Sequence, residues 1–328
     1  MALPYRVRDA VVGVILETTP YTFLEPGNAQ SFPAMNITVS PSQEIEDRND
    51  GRPHFGRLDA IPGGAEVEIG FEIYLVGASA AGTVPYWDIP MLASGHSKTV
   101  VASTSVTYKP TTRFDAGVVS TTTYPGEVYS VAVWEGNGGP RYGLRGGQGN
   151  VKLVSKQGIP AKLQFNFKGA FEAVVDDATP PTITASTLAP PQFLSAGISV
   201  HGVSTLAFDG IEFDKGNELS RRADSNSSSG IRGAWITKHN PSIKIDPELV
   251  AVATLDILGK WRSGATGAFT TGVIGSTAGN RYQLAAGRTQ FREMSLGDRE
   301  GARITALTLA ITTAVNAVDG DDYTLAIT

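Results

Sequence analysis

The chain has 328 residues, 37 of them glycine, with 41% hydrophobic and 18% charged residues. This balance is typical of a globular protein and excludes an intrinsically disordered one, which would carry more charge and fewer apolar residues. The 27 basic and 32 acidic residues give a net charge of −5. A protein that grips nucleic acid through a strongly basic surface is therefore excluded. Cysteine is absent, which excludes disulfides and thiolate metal sites.

Apolar runs along the chain are short. None reaches the roughly 18 residues that a membrane helix needs, and the first, residues 11–16, is short for the core of a signal peptide. We therefore expect a soluble product with no targeting segment and no membrane contact.

Alternation of apolar and polar residues, which is typical of a strand with one buried face, is the dominant local pattern. The clearest case is residues 67–75, where Glu68 and Glu72 alternate with apolar residues. The other predicted strands, in chain order, are residues 37–39, 128–134, 150–154, 161–167, 211–213, 242–246, 304–311 and 323–327. Helical periodicity is limited to residues 86–94 and 255–263. The sequence thus predicts a mostly β protein with one short helix in each half.

A proline-rich stretch near the middle of the chain, residues 176–191, predicts an extended linker, because proline cannot donate to a strand ladder. We predict a first domain over 1–180, a linker over 181–193 and a second domain over 194–328. Each half has a short strand, a polar loop with arginines (43–57 and 216–232), a strand pair and a short helix. This shared order favours an internal duplication over two unrelated β domains.

Two of these loops, 44–52 and 221–230, carry most of the clustered charge. Loops of this length are commonly functional or mobile. They are interpreted either as solvated connections or as arms that contact a neighbouring subunit. The candidate contact residues are Glu46, Asp47, Arg48, Asp50, Arg52, Arg221, Arg222 and Asp224.

Residues arranged for catalysis or for cofactor binding are not evident. The four histidines share no metal-ligand spacing. The glycine-rich residues 136–149 lack the Gly-Lys-Ser/Thr ending of a phosphate-binding loop and favour a flexible hairpin loop. We predict no enzyme activity, no metal and no cofactor, although a sequence alone does not exclude a spatial pair of carboxylates, as in a hydrolase.

The order of several short motifs resembles that of long phage tail tube proteins. In the first half, residues 145–153, 158–169 and 176–181 resemble the end of the first domain of that family. In the second half the similar stretches are residues 213–222, 224–226, 246–247, 261–264, 275–281, 298–301 and 320–327. The resemblance covers most of residues 30–328 and rests on the shared order of the motifs. The first half departs from the family pattern at the threonine-rich residues 103–125.

The resemblance implies the tail tube of a long-tailed, siphophage-type bacteriophage, built from stacked rings. It implies two tandem tail-tube domains per chain, each a β-sandwich or half-barrel with one short helix, that contribute strands to a ring-shaped β-barrel. Three such chains would make a pseudo-sixfold ring. The implied partners are other copies of the chain, a tape measure protein, a tail terminator and distal tail or baseplate proteins. Viral double-stranded DNA would pass through the lumen without specific binding. The implied location is the virion tail, assembled in the host bacterial cytoplasm.

On this interpretation, two groups of residues gain candidate roles. Glu66, Glu68 and Glu72 lie on the polar face of a strong strand and are candidates for a lumen lining that repels DNA phosphates. The charged loops become candidates for contacts between rings. Two alternatives remain open: another multimeric β protein of a virion or secretion apparatus, and a two-domain carbohydrate-binding sandwich. The low aromatic content of 8% weakens the second alternative.

Overall fold

The computed structural model describes residues 5–48, 56–111, 127–177, 179–183, 186–227, 229–314 and 320–328. Short 3₁₀ turns lie at Val7–Asp9 and Asn28–Gln30. The strands of the first half are β1 (Val11–Leu16), β2 (Ser31–Phe32), β3 (Met35–Glu46), β4 (Ile61–Tyr74), β5 (His96–Val101), β6 (Ser105–Pro110), β7 (Tyr129–Trp134), β8 (Gly139–Lys156), β9 (Lys162–Phe171) and β10 (Val175–Asp177), with helix α1 (Asp88–Ala93) between β4 and β5.

The second half has a similar composition of elements. Its strands are β11 (Ser199–Val200), β12 (Gly210–Asp214), β13 (Asn217–Ala223), β14 (Ile231–His239), β15 (Ser242–Ile245), β16 (Thr266–Thr270), β17 (Tyr282–Arg299), β18 (Ala302–Ile311) and β19 (Thr324–Ile327), with helix α2 (Ile257–Ser263) between β15 and β16. The predicted mostly β fold with a short helix in each half is confirmed.

The predicted polar loop over 216–232 is wrong in part. Asn217–Ala223 and Ile231–His239 pair as a separate two-stranded sheet, here called the second-half arm, and only the turn between them is a loop. The polar sequence of β13 gave no strand signal, because this strand does not bury one face in the core.

The interpretation of residues 136–149 as a flexible hairpin loop is also wrong, because β8 begins at Gly139 and is buried over most of its length. The glycines allow close packing. A Cβ on Gly149 would lie 2.6 Å from the Phe167 ring, and one on Gly147 would lie 2.2 Å from Leu144. Gly146 has a φ of 61°, which favours glycine, and lies at an irregularity in the pairing of β8 with β9.

The two halves repeat the same order of strand pairing. The first half contains the row β3-β4-β9-β8 and the second half the row β12-β15-β18-β17, all antiparallel. Likewise β7 joins β8 to β1, and β16 joins β17 to β11. Strands β10 and β19 pair with the beginnings of β8 and β17. The β5–β6 hairpin has no counterpart in the described part of the second half.

Strand pairing also joins the halves. The end of β8 pairs with β12 from Lys152 opposite Asp214 to Lys156 opposite Gly210, and β6 pairs with β19. One hydrogen-bonded sheet thereby includes 17 strands. The row of eight strands, β3-β4-β9-β8-β12-β15-β18-β17, runs across the junction and is called the eight-strand row.

One hydrophobic core holds the sheets together. It includes Ile69 and Phe165 from the first half, Ile243 and Leu309 from the second, and Val131 of β7, each almost fully buried. Because side chains alternate along a strand, burial of one face of the eight-strand row leaves its other face outside the core. The predicted domain bounds at 180 and 194 stay a prediction.

Candidate assembly surfaces

The eight-strand row presents one continuous polar face. Residues directly opposite each other in an antiparallel pair lie on the same face, so the register of each pair extends this face across all eight strands. Its members, called the polar sheet face, are Ser40, Glu66, Glu68, Glu72, Lys162, Gln164, Lys168, Asn150, Lys152, Glu212, Asp214, Ser242, Lys244, Thr308 and Glu293.

The three predicted lumen residues all lie on the polar sheet face. Lys168 Nζ lies 3.0 Å from Glu66 Oε1 and 3.6 Å from Glu68 Oε1. Glu72 Oε2 lies 3.2 Å from Lys162 Nζ, and Glu72 Oε1 accepts a 2.8 Å hydrogen bond from Gln164. The glutamates of β4 thus pair with cations and amides of β9. Their role in a lumen stays a prediction.

The second half of the polar sheet face continues this pattern of paired charges. Lys152 Nζ lies 3.0 Å from Asp214 Oδ2 across the junction of the halves, and Lys244 Nζ lies 3.4 Å from Glu212 Oε1. The polar sheet face therefore carries alternating acids and lysines, with no wholly acidic or basic stripe. A surface of this kind does not attract a polyanion as a basic groove does.

The first charged loop follows β3. Asp47 Oδ2 lies 2.7 Å from Arg57 Nη2. Glu46 and Arg48 are exposed, while Asp50 and Arg52 lie outside the described residues. Contacts of this loop with another ring stay a prediction.

The second charged loop belongs to the second-half arm and contacts the first half. Arg221 Nη1 lies 2.5 Å from Glu44 Oε1. The guanidinium of Arg222 lies 5.1 Å from the centre of the Tyr21 ring and donates to its hydroxyl. Asp224 pairs with Arg232 at 3.1 Å. The structure thus brings the two predicted loops together within one chain, and their role between rings stays a prediction.

Sequence reasoning missed a polar cluster where the halves meet. Lys215, only 1% exposed, donates a 2.6 Å hydrogen bond to the carbonyl of Ser94 and a further one to that of Gly95. Asn217 Nδ2 donates to the same Ser94 carbonyl at 2.9 Å and to that of Gly149 at 2.8 Å. The cluster fixes the end of α1 to the start of the second-half arm. Its sequence, residues 214–217, resembles an ordinary polar turn and gave no sign of burial.

The two ends of the eight-strand row are open. On the outer side of β3, and on that of β17 over residues 291–299, no strand of the described residues pairs. Unpaired backbone donors and acceptors on a strand edge readily accept another strand. The row therefore offers two edges suited to a further strand.

Other classes of site are not built by the described residues. They contain no group of three or more His, Asp and Glu side chains placed to hold a metal ion. Neither helix in the described part of the chain has the length and hydropathy required to cross a bilayer.

A mostly β chain whose main surface features are a polar sheet face and two open edges belongs to the class of structural proteins that act through their surfaces. A family model described as phage tail tube protein matches residues 7–323, and the chain belongs to this family. A search of curated proteins found no match. The protein is therefore a structural component of the bacteriophage virion, located in the tail, and not an enzyme. Family membership implies self-assembly into the tail tube and contact with other tail proteins.

Proposed function

We propose that three copies of the chain form a pseudo-sixfold ring and that stacked rings form the tube through which DNA is ejected. The observation that carries this proposal is the repeated order of pairing in the eight-strand row. Two rows of four strands are joined edge to edge by β8 and β12, and β3 and β17 remain at the ends. The chain is then two tube units in tandem, and each ring has six units.

Ring closure follows from the edges. The pairing of β8 with β12 supplies a pattern for β17 of one copy with β3 of the next. The faces must also match, since a slip of one residue moves every side chain to the opposite face. Ile37 and Val39 of β3 pack against the core, so they must continue the core side of β17, to which Phe291 belongs. In this register the polar sheet face continues from copy to copy.

The polar sheet face is the proposed lining of the lumen. The opposite face of the row is covered by the core, which leaves the polar sheet face for the channel. Glu66, Glu68 and Glu72, partly balanced by Lys162 and Lys168, give a hydrated and weakly charged surface. Such a surface lets a polyanion slide without a fixed binding site.

The remaining partners follow from the position of a tube in a siphophage-type tail. We place the charged loops of both halves at contacts between rings, where mixed charge favours one register. A tape measure protein would occupy the lumen during assembly. A tail terminator and the distal tail or baseplate proteins would bind the two ends. Assembly would take place in the host bacterial cytoplasm.

Electron microscopy of the purified protein, combined with native mass spectrometry of the smallest closed ring, tests this function. We expect hollow tubes or rings of three chains with six repeated features around the ring. Six chains per ring would keep the tube and contradict the tandem units. A chain that stays monomeric or dimeric at high concentration would contradict the assembly itself.

A further inference from the structure

We propose that the outer side of α2 is a docking surface for the end of the β3–β4 hairpin of a second copy. This inference rests on the ring proposed above and assigns one of its contacts. The hairpin end comprises residues 43–48 and 56–64 of the described chain. The docking surface comprises Leu258, Trp261 and Arg262 of α2 together with Arg288 and Arg292 of β17.

Helix α2 places large apolar side chains outside the core. Leu258 is 56% exposed and Trp261 is 45% exposed, whereas Ile257 is buried. Leu258 and Trp261 are three residues apart and lie on the same side of the helix. Trp261 Nε1 donates a 3.0 Å hydrogen bond to the carbonyl of Arg292, so the indole lies beside the open part of β17. An exposed aromatic residue next to an open strand edge marks a contact surface.

The corresponding helix of the first half is covered. Ser94 and Gly95, at the end of α1, are buried, and they are in contact with the second half. Lys215 and Asn217 donate to the Ser94 carbonyl, and a Cβ on Gly95 would lie 3.0 Å from Ile236 of the second-half arm. An arm therefore covers α1 within the chain, while the matching end of α2, at Ser263, is exposed.

The hairpin end of the first half is the element of this chain that matches the second-half arm. It lies between β3 and β4 as the second-half arm lies between β12 and β15. Its apolar residues Ile45 and Ile61 are 64% and 54% exposed. Two open apolar surfaces, one on the hairpin end and one on α2, are thus available to bury each other.

Charge favours the same pairing. The hairpin end carries Glu44, Glu46, Asp47 and Asp59 against two arginines. The docking surface carries the exposed Arg262, Arg288 and Arg292, together with Lys260 on the same helix. Complementary charge speeds association and selects orientation. A second copy of this chain therefore supplies both the apolar and the acidic groups that the docking surface fits.

Crosslinking tests the contact directly, since the natural chain has no cysteine. The variant Gln43→Cys with Ser263→Cys is assembled and treated with a short bismaleimide. We expect covalent products that end at three chains, because head-to-tail links close within one ring. A matched control combines Gln43→Cys with Gln157→Cys at the exposed β8–β9 turn and should remain uncrosslinked.

The outcomes separate this inference from the proposed function. Tubes without crosslinks would overturn the docking surface and leave the tube standing. Products longer than six chains would place the contact between rings and would also overturn it. Products that end at six chains would support docking and contradict only the number of chains in the ring. Absence of tubes or rings in the unmodified protein would instead overturn the proposed function.

Substitution at the docking surface gives a second measurement. Leu258→Ser with Trp261→Ser should raise the concentration needed for assembly about tenfold, equivalent to about 1.4 kcal/mol, with the subunit still folded by circular dichroism. Ile159→Ser, at an equally exposed apolar residue of the β8–β9 turn, should leave it unchanged. An unchanged assembly concentration in the double variant would contradict the docking surface.

Discussion

Lys215 and Ser94 join the two halves of the chain through a 2.6 Å hydrogen bond from the ammonium group to the backbone carbonyl. The donor is 1% exposed, and its acceptor lies directly after helix α1. Burial of an ammonium group is costly unless its donors find partners. The contact therefore holds only when the two halves are in their correct relative positions.

We predict that Lys215→Met destabilises the subunit by about 1–3 kcal/mol, because the carbonyls of Ser94 and Gly95 lose a charged donor. The measurement is the shift of the urea midpoint at an unchanged slope. Lys156→Met is the control, since Lys156 is exposed and lies 3.5 Å from Asp209. Equal stability of the two variants would show that the buried contact contributes nothing.

Asp256→Ala should cost about 1 kcal/mol of unfolding free energy. Asp256 Oδ1 accepts a 2.7 Å hydrogen bond from Gly259 N and caps the N-terminus of α2. Asp256→Ser keeps a capping oxygen and should retain most of the stability. Because α2 carries the docking surface, the alanine variant should also assemble less readily, which light scattering can follow. Wild-type stability of the alanine variant would argue against the cap.

Acid pH should weaken the second half through His201. Partial burial, with Lys260 nearby, lowers the pKa of His201 below its ordinary value. The unfolded chain therefore binds a proton at higher pH than the folded chain, and stability falls as pH drops below about 6.5. His201→Asn removes the titration and suits the φ of 51° at this residue. Urea midpoints between about pH 7.5 and pH 5 should fall more steeply in the wild type than in the variant, and parallel curves would contradict the prediction.

Reversal of charge on the polar sheet face should make the tube retain DNA. Glu68→Lys with Glu72→Lys would leave Lys162 and Lys168 without these carboxylates and give a basic surface. We expect tubes of normal form that bind short duplex DNA at low salt and release it at high salt. Glu300→Lys, at the exposed β17–β18 turn, is the control. Tubes of the double variant that bind no more DNA than the control would argue against a lumen position.

Reversal of Arg221 tests the charged loops. Arg221→Glu faces Glu44, whose carboxylate lies 2.5 Å from the arginine in the wild type. The added Glu44→Arg restores an ion pair within the chain. If Arg221 also contacts another ring, the double variant should fold as the wild type does and still fail to grow tubes. Recovery of full-length tubes would limit the role of Arg221 to its own chain.

Sequence alone predicted the elements whose side chains alternate strictly. In β4, Val67, Ile69, Phe71 and Ile73 are buried and mark the strand. Both helices begin and end within two residues of their predicted bounds. Strand β8 was missed over its first half because glycine has no side chain with which to show a buried face. The second-half arm was missed because its polar strands lie on another part of the chain and not in the core.

The surfaces were harder to predict than the strands. The alternation in β4 indicates that Glu66, Glu68 and Glu72 share a face, but not that Lys162 and Lys168 of β9 accompany them, because this requires the register of two strands. Lys215 is a stronger case. Its acceptor Ser94 is 121 residues away along the chain, and no local pattern indicates that this lysine is buried.

The pairing of β8 with β12 inside one chain also bears on how fast a ring can nucleate. A contact between tethered units forms at a high effective concentration, independent of how dilute the protein is. In a ring of three such chains, half of the lateral contacts exist before any two molecules meet. Only the remaining contacts depend on protein concentration, so rings should begin to form at an earlier stage of phage protein synthesis than they would from six separate units.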